Sequence, residues 1–164
     1  MTVELGPHPE TPGLYELRAA TWLPRPRDEV FEFFADAFNL ERITPPLLQF
    51  QVLTPAPIVM RVGALIDYRL RLRGIPLRWK TEITAWDPPC RFADEQVSGP
   101  YALWRHTHEF VEQDGGTLMT DRVEYAVPFG TLVHVLFVKN DVRRIFEFRD
   151  RTIHELLDTS LTST

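Results

Sequence analysis

The sequence predicts an α+β domain: a seven-stranded antiparallel sheet wrapped around a long C-terminal helix, with two short helices between the first two strands. Three observations carry this. From Gly63 to Val127 apolar and polar residues alternate with a period of two, broken only by turn residues. After Pro128 and Gly130 the period becomes helical and stays so from Thr131 to about Leu157. The chain has 164 residues, 44% of them apolar and 25% charged, which is enough for one domain with its own core.

Residues 1–13 carry Pro7, Pro9 and Pro12 and read as a flexible lead-in; 14–158 form the domain, and 159–164 a flexible tail. Tyr15 to Leu23 is the first strand, stopped by Pro24 and Pro26. Pro26 then suits a helix start, and Asp28 and Glu29 follow where the helix dipole favours negative charge. Val30, Phe33, Phe34 and Ala37 form that helix's apolar face. Asn39 is placed to cap a second short helix, which Pro45 and Pro46 end. Leu48, Phe50 and Val52 alternate with Gln49 and Gln51 as a second strand.

In the third strand Ala64, Ile66, Tyr68, Leu70 and Leu72 share a face; in the fourth, Leu77, Trp79, Thr81, Ile83 and Ala85 do. A two-residue turn at Gly74 and Ile75 pairs Arg73 with Pro76, Leu72 with Leu77 and Leu70 with Trp79, so the apolar faces coincide. The same register sets Arg71 against Arg78 and Arg69 against Lys80 on the outer face. Like charges directly opposite repel, and either an anionic surface or neighbouring acids and salt would relieve them. Asp87, Pro88 and Pro89 turn the chain into a fifth strand, Arg91 to Val97. Its parity is open: one turn length brings Glu95 beside Trp104, a longer one brings Asp94 and Gln96 inside. Tyr101 to Glu112 is the sixth strand and Thr117 to Val127 the seventh, joined at Asp114, Gly115 and Gly116.

That last hairpin fixes the candidate site. Pairing Glu112 with Thr117 sets Phe110 against Met119, His108 against Asp121, His106 against Val123 and Trp104 against Tyr125, all on the inner face. In the C-terminal helix Val135, Val138, Val142, Ile145, Ile153 and Leu156 recur at helical spacing, while Arg143, Arg144, Glu147, Arg149, Asp150 and Arg151 read as a solvated, ion-paired face. A helix ~10 Å wide cannot fill the hollow of such a sheet, so side chains or a cavity take the remaining space.

Several function classes are excluded or disfavoured. With 18 basic and 23 acidic residues the net charge is −5, and no nucleic-acid recognition motif is present. Cys90 is the sole cysteine, so neither an intrachain disulfide nor a cysteine zinc site can form. No signal peptide and no stretch long enough to cross a bilayer is found, which reads as a soluble, cytoplasmic protein. Nucleophile elbow, P-loop and dinucleotide fingerprint are missing.

Three segments carry a resemblance: the run from Trp79 through Trp86, Phe92, Asp94 and Glu95 to Gln96; the run Gly99 to Phe110 with Tyr101, Trp104, His106 and His108; and Gly115 to Thr117 with Asp121 to Tyr125 and Pro128. Together they resemble the START-like, or SRPBCC, superfamily of the helix-grip fold, over roughly residues 15–157. The likeness is to its bacterial polyketide cyclase/dehydrase-like or ligand-binding branch. The resemblance implies a hydrophobic ligand cavity between sheet and C-terminal helix, and no particular reaction.

The expected function is therefore binding of a hydrophobic or amphipathic small molecule, lipid, polyketide or isoprenoid-like, as carrier or sensor. Tyr68, Leu70, Trp79, Trp104, Phe110, Met119, Val123, Tyr125, Val138 and Val142 are expected to line the cavity, with His106, His108 and Asp121 at the ligand's polar end. Two alternatives stay open. One is a cyclase or dehydratase using His108 and Asp121 as an acid/base pair, with His106 the further candidate. The other is a regulatory module binding a protein, or an anionic surface through Arg69, Arg71, Arg78 and Lys80. His106, His108 and a carboxylate also meet the ligand list of a metal, but a His-x-His pair is a weak signal, and neither metal nor cofactor is expected.

Overall fold

A computed structural model describes residues 2–130 and 133–158. In chain order the elements are β1 (Thr2–Pro7), β2 (Tyr15–Leu23), α1 (Arg27–Ala35), α2 (Asn39–Arg42), β3 (Gln51–Val52), β4 (Leu65–Leu72), β5 (Ile75–Asp87), β6 (Arg91–Ser98), β7 (Leu103–Gln113), β8 (Gly116–Ala126) and α3 (Lys139–Asp158). A π-helical stretch, His134–Val138, leads into α3. The strands form one antiparallel sheet in the order β1-β2-β8-β7-β6-β5-β4-β3. Hairpin neighbours stay adjacent, and β2 crosses over to pair with β8.

The sheet has eight strands rather than seven. The extra one lies in the expected lead-in: Thr2 to Pro7 pairs with β2, burying parts of Val3 and Leu5 against Leu17 and Tyr125. Proline was a poor guide there, because an edge strand tolerates it. Conversely β3 is only two residues long: Pro46–Leu48 forms a 3₁₀ turn and Gln49 sits at φ 44°, so the expected strand from Leu48 is cut short. Asn39 lies inside α2 and donates to the Phe33 carbonyl at 2.8 Å, so it does not cap the helix; Phe38 stands at the N-cap, and no side chain caps α2.

The β4–β5 hairpin corrects a register. Its turn is Arg73-Gly74, both at positive φ (50° and 79°), so Leu72 pairs with Ile75 and Tyr68 with Trp79. The shift is by two residues, which keeps the inner face apolar. On the outer face it changes the charge pairs. Arg69 faces Arg78, Arg71 faces Pro76, and Lys80 faces Asp67 at 3.6 Å; Arg69 also donates to Gln51. Part of the expected repulsion is thereby removed within the sheet.

Buried side chains gather in three clusters. Phe31, Phe34, Phe92, Phe110, Met119 and Ile153 form the first, under α1; Leu17, Val123, Tyr125, Val142 and Phe146 form the second, between β2, β8 and α3; Val52, Ile66, Tyr68 and Ile83 form the third, on β3 to β5. Aromatic edge-to-face contacts such as Phe31–Phe110 knit the first cluster. Thr131, Leu132, residues 159–164 and the side chain of Val135 lie outside the described residues. No described helix is long and apolar enough to cross a membrane.

Candidate functional site

The β7–β8 hairpin turns at Asp114-Gly115, both in the left-handed region (φ 51° and 76°), and closes with Gln113 opposite Gly116. From there the alternation is unbroken, so His108 lies opposite Asp121, His106 opposite Val123 and Trp104 opposite Tyr125, in the expected register. β6 resolves the open parity: Asp94 lies opposite His106 and Phe92 opposite His108, so Asp94 is inside, while Glu95 faces Arg105 outside. The longer turn is secured by Gln96, whose side chain donates to the Tyr101 carbonyl and accepts from its N–H.

Four side chains thus converge. Asp121 Oδ1 accepts a hydrogen bond from His106 Nε2 at 2.8 Å. His108 Nδ1 is 2.9 Å from the same oxygen but off the line of an aligned bond, and His108 Nε2 is 3.4 Å from Asp94 Oδ2. The imidazoles lie 3.8 Å apart, and Phe92 stacks on His108 at 4.2 Å. His106, His108 and Asp121 are all buried.

Burial opposes every charge here, and the contacts decide which survive. Burial raises the Asp121 carboxyl, but the two histidines outweigh this and hold it well below the usual carboxylate range. Burial lowers His108 too, and its contacts with Asp121 and Asp94 overcome that and raise it. For His106 burial and the neighbouring His108 win, and its pKa is lowered despite the bond to Asp121. The two imidazoles are thus pushed in opposite directions, His108 up and His106 down, by the carboxylates and the burial they share.

The cluster opens onto a cavity of about 150 Å³ between the sheet and α3. Its wall is mainly apolar and aromatic, drawn from α1, β4, β5, β6, β7, α3 and the segment between α1 and β4. Of the residues expected to line it, Tyr68, Leu70, Trp79, Trp104, His106, His108 and Val142 do. Phe110 and Met119 instead pack under α1, and Val123, Tyr125 and Val138 pack between β2 and α3; Asp121 stands behind the histidines. Sharing the inner face was not enough, because α1 and α3 cover parts of it.

Other lining residues escaped the sequence reading, among them Tyr101, Phe146 and Arg149, while Asp94 enters by the longer of the two turns it left open. Arg149 corrects the solvated-face expectation outright. Its Nε and Nη1 are buried without a hydrogen-bond partner, and its Cζ lies 4.9 Å from the Phe146 ring centre. Burial lowers its pKa, and Asp121 and Asp94 offset this only partly. The signal was available: the stripe Val142, Phe146, Arg149, Ile153 keeps helical spacing, with an arginine in an apolar place. Asp150, from the same expected face, accepts from Thr21 Oγ1 at 2.7 Å.

Asp94, His106 and His108 can each present one ligand atom within 4.8 Å of the others, the donor set of a two-histidine, one-carboxylate metal site. Asp121 would then orient both imidazoles from behind. The competing charge is Arg149, a fixed cation lining the same cavity.

The family described as polyketide cyclase/dehydrase and lipid transport matches residues 23–148. No curated protein matches the chain in sequence. Solved structures match across nearly the whole fold. Protein Ms6760 from Mycobacterium smegmatis is 20% identical, with TM-score 0.69, covering 97% of this chain and 99% of its own. CV1439 from Chromobacterium violaceum is 14% identical, with TM-score 0.70, covering 90% and 98%. Major latex-like protein 151 from Panax ginseng is 16% identical, with TM-score 0.67, covering 88% and 98%.

Proposed function

The chain belongs to the polyketide cyclase/dehydrase and lipid transport family, of the START-like helix-grip superfamily, and from that premise we propose that it holds a hydrophobic or amphipathic small molecule in its cavity, as a carrier or sensor. One observation supports this most: an aromatic-walled cavity whose lining includes the Asp94, His106 and His108 cluster and Arg149. That is the usual build of a small-molecule site, where apolar area gives affinity and a few polar groups give orientation. At about 150 Å³ it takes roughly one aromatic ring without rearrangement. A larger ligand requires α3 or the lining side chains to give way. In this reading His106 and His108 orient the ligand's polar end, and Asp121 holds both imidazoles.

The test is native mass spectrometry of freshly purified protein, repeated after denaturation. A mass excess that vanishes on unfolding identifies the ligand. An empty protein that takes up no hydrophobic probe counts against the reading.

A second reading has its own support, His108 at the cavity wall 2.9 Å from Asp121, with its pKa raised by Asp121 and Asp94. In a dehydratase His108 protonates a hydroxyl that leaves as water as its C–O bond breaks, and the resulting neutral imidazole takes the proton from the adjacent carbon as the double bond forms, with Asp121 balancing the charge. His108→Ala separates the two: a carrier loses some affinity, whereas an enzyme loses turnover by ~10²-fold or more.

A further inference from the structure

The cavity carries polar atoms that nothing in the protein satisfies, and apart from His108 Nδ1, which faces Asp121, they are of one kind. Arg149 Nε and Nη1 and Trp79 Nε1 are buried without partners, and both side chains line the cavity. All three are obligate donors; neither guanidinium nor indole N–H can accept. One oxygen of each nearby carboxylate is already engaged. Asp121 Oδ1 faces both histidines, and Asp94 Oδ2 faces His108. No carboxylate among the described residues pairs with Arg149 within ion-pair distance, although Asp94 and Asp121 act on it through space.

Buried donors without partners are costly, and a buried guanidinium without one more so. Such groups persist where a ligand completes them. Phe146 covers one face of the Arg149 guanidinium, which leaves its N–H edge for recognition. That edge is a planar fork, matched by two oxygens on one carbon. Around it the wall is aromatic, with Trp79, Tyr101 and Trp104 packed together at centroid distances of 4.6 to 5.5 Å.

Resting on the reading of the cavity as a ligand site, we propose that its ligand is a compact aromatic acid whose carboxylate is bound by Arg149, with Trp79 donating to a second ligand oxygen. At Arg149 and Trp79, ligands whose polar end only donates are disfavoured, because the unpartnered atoms of both side chains are donors. Arg149 thereby sets which hydrophobic molecules the site accepts, and the histidine–aspartate cluster supplies the neighbouring polar wall.

The experiment is calorimetric titration of the full chain with three single-ring probes of one shape, matched to the cavity: benzoate, toluene and benzylamine. The acid is expected to bind at least ~10-fold more tightly than the hydrocarbon, the gain of one charge-assisted hydrogen-bond pair, with the amine weakest. Arg149→Met is expected to abolish the difference between acid and hydrocarbon. Arg149→Lys, with the charge but not the fork, is expected to keep part of it. If the unaltered protein binds hydrocarbon and acid equally, or Arg149→Met keeps the preference, the assignment to Arg149 is overturned while the cavity reading stands. If none of the three probes binds, the cavity reading falls and the inference with it. Should Arg149→Met not fold, the ranking on the unaltered protein and on Arg149→Lys decides.

Discussion

Replacing Asp121 by Asn isolates the charge at the centre of the site. The carboxylate is 8% exposed, and its Oδ1 lies 2.8 Å from His106 Nε2 and 2.9 Å from His108 Nδ1. Asn keeps the shape and one acceptor oxygen but loses the charge. Removing one partner of a buried charge pair costs about 3–5 kcal/mol. The retained acceptor, and Asp94 at 3.4 Å from His108, place Asp121→Asn near the lower end, about 3 kcal/mol. In a domain of this size that lowers Tm by about 6–12 °C.

The pH dependence gives a sharper check. His108 is raised in the folded state, so its contribution is full below the unfolded value of about 6.5 and is lost as pH rises through the folded one. Asp121 is lowered, so its contribution is present above the unfolded value of about 3.9 and is lost as pH falls through the folded one. The gap between wild type and Asp121→Asn is therefore greatest between about pH 4 and 6.5 and narrows in alkali. Urea denaturation across pH 4–9, with NMR titration of the His108 ring, measures both. A gap below about 1 kcal/mol, a gap independent of pH, or an unchanged His108 titration refutes the reasoning.

Other outcomes follow from single contacts. Val142→Phe puts a ring into the cavity from α3 at a position 1% exposed. It should abolish uptake of small aromatic probes at a stability cost of no more than about 1–3 kcal/mol; calorimetry and thermal melting read the two effects. Gly116→Ala sets a Cβ 2.4 Å from the Leu23 carbonyl oxygen, which backbone cannot yield, and should cost over 2 kcal/mol by urea denaturation, at roughly the scale of overpacking. Gly115→Ala meets no atom within 4 Å and carries only the left-handed backbone penalty, about 1–2 kcal/mol, so the two substitutions should rank in that order. Tyr125→Phe removes the 2.8 Å bond between the Tyr125 hydroxyl and His134 Nε2 and leaves a buried imidazole nitrogen unpaired, a loss of about 1–3 kcal/mol in the same assay.

Much of the site was legible in the chain because the information is local. The Asp114-Gly115 turn and unbroken alternation on either side are enough to bring His108 and Asp121 opposite each other. The β4–β5 register was not legible to the residue, since a slip of two leaves every apolar side chain on the same face; the positive φ at Arg73 and Gly74 decided it. β1 was missed because an edge strand buries little and tolerates proline. The parity of β6 depended on the loop closed by Gln96 and on the register shifts in β5–β6 pairing, so Asp94 entered the site only in three dimensions.

Periodicity determines which face a side chain shares; it says nothing of what covers that face. Hence Phe110, Met119, Val123 and Tyr125 share the histidines' face yet pack against helices, while the cavity opens over β4 to β7. Arg149 shows the same limit from the other side. Its spacing put it on the buried stripe of α3, and its charge read as solvent-facing. Only the packing of Phe146, Trp79 and the β7 histidines around one cavity determined that a guanidinium would be buried there with no partner of its own, because that balance of desolvation and contact is set between elements distant in the chain.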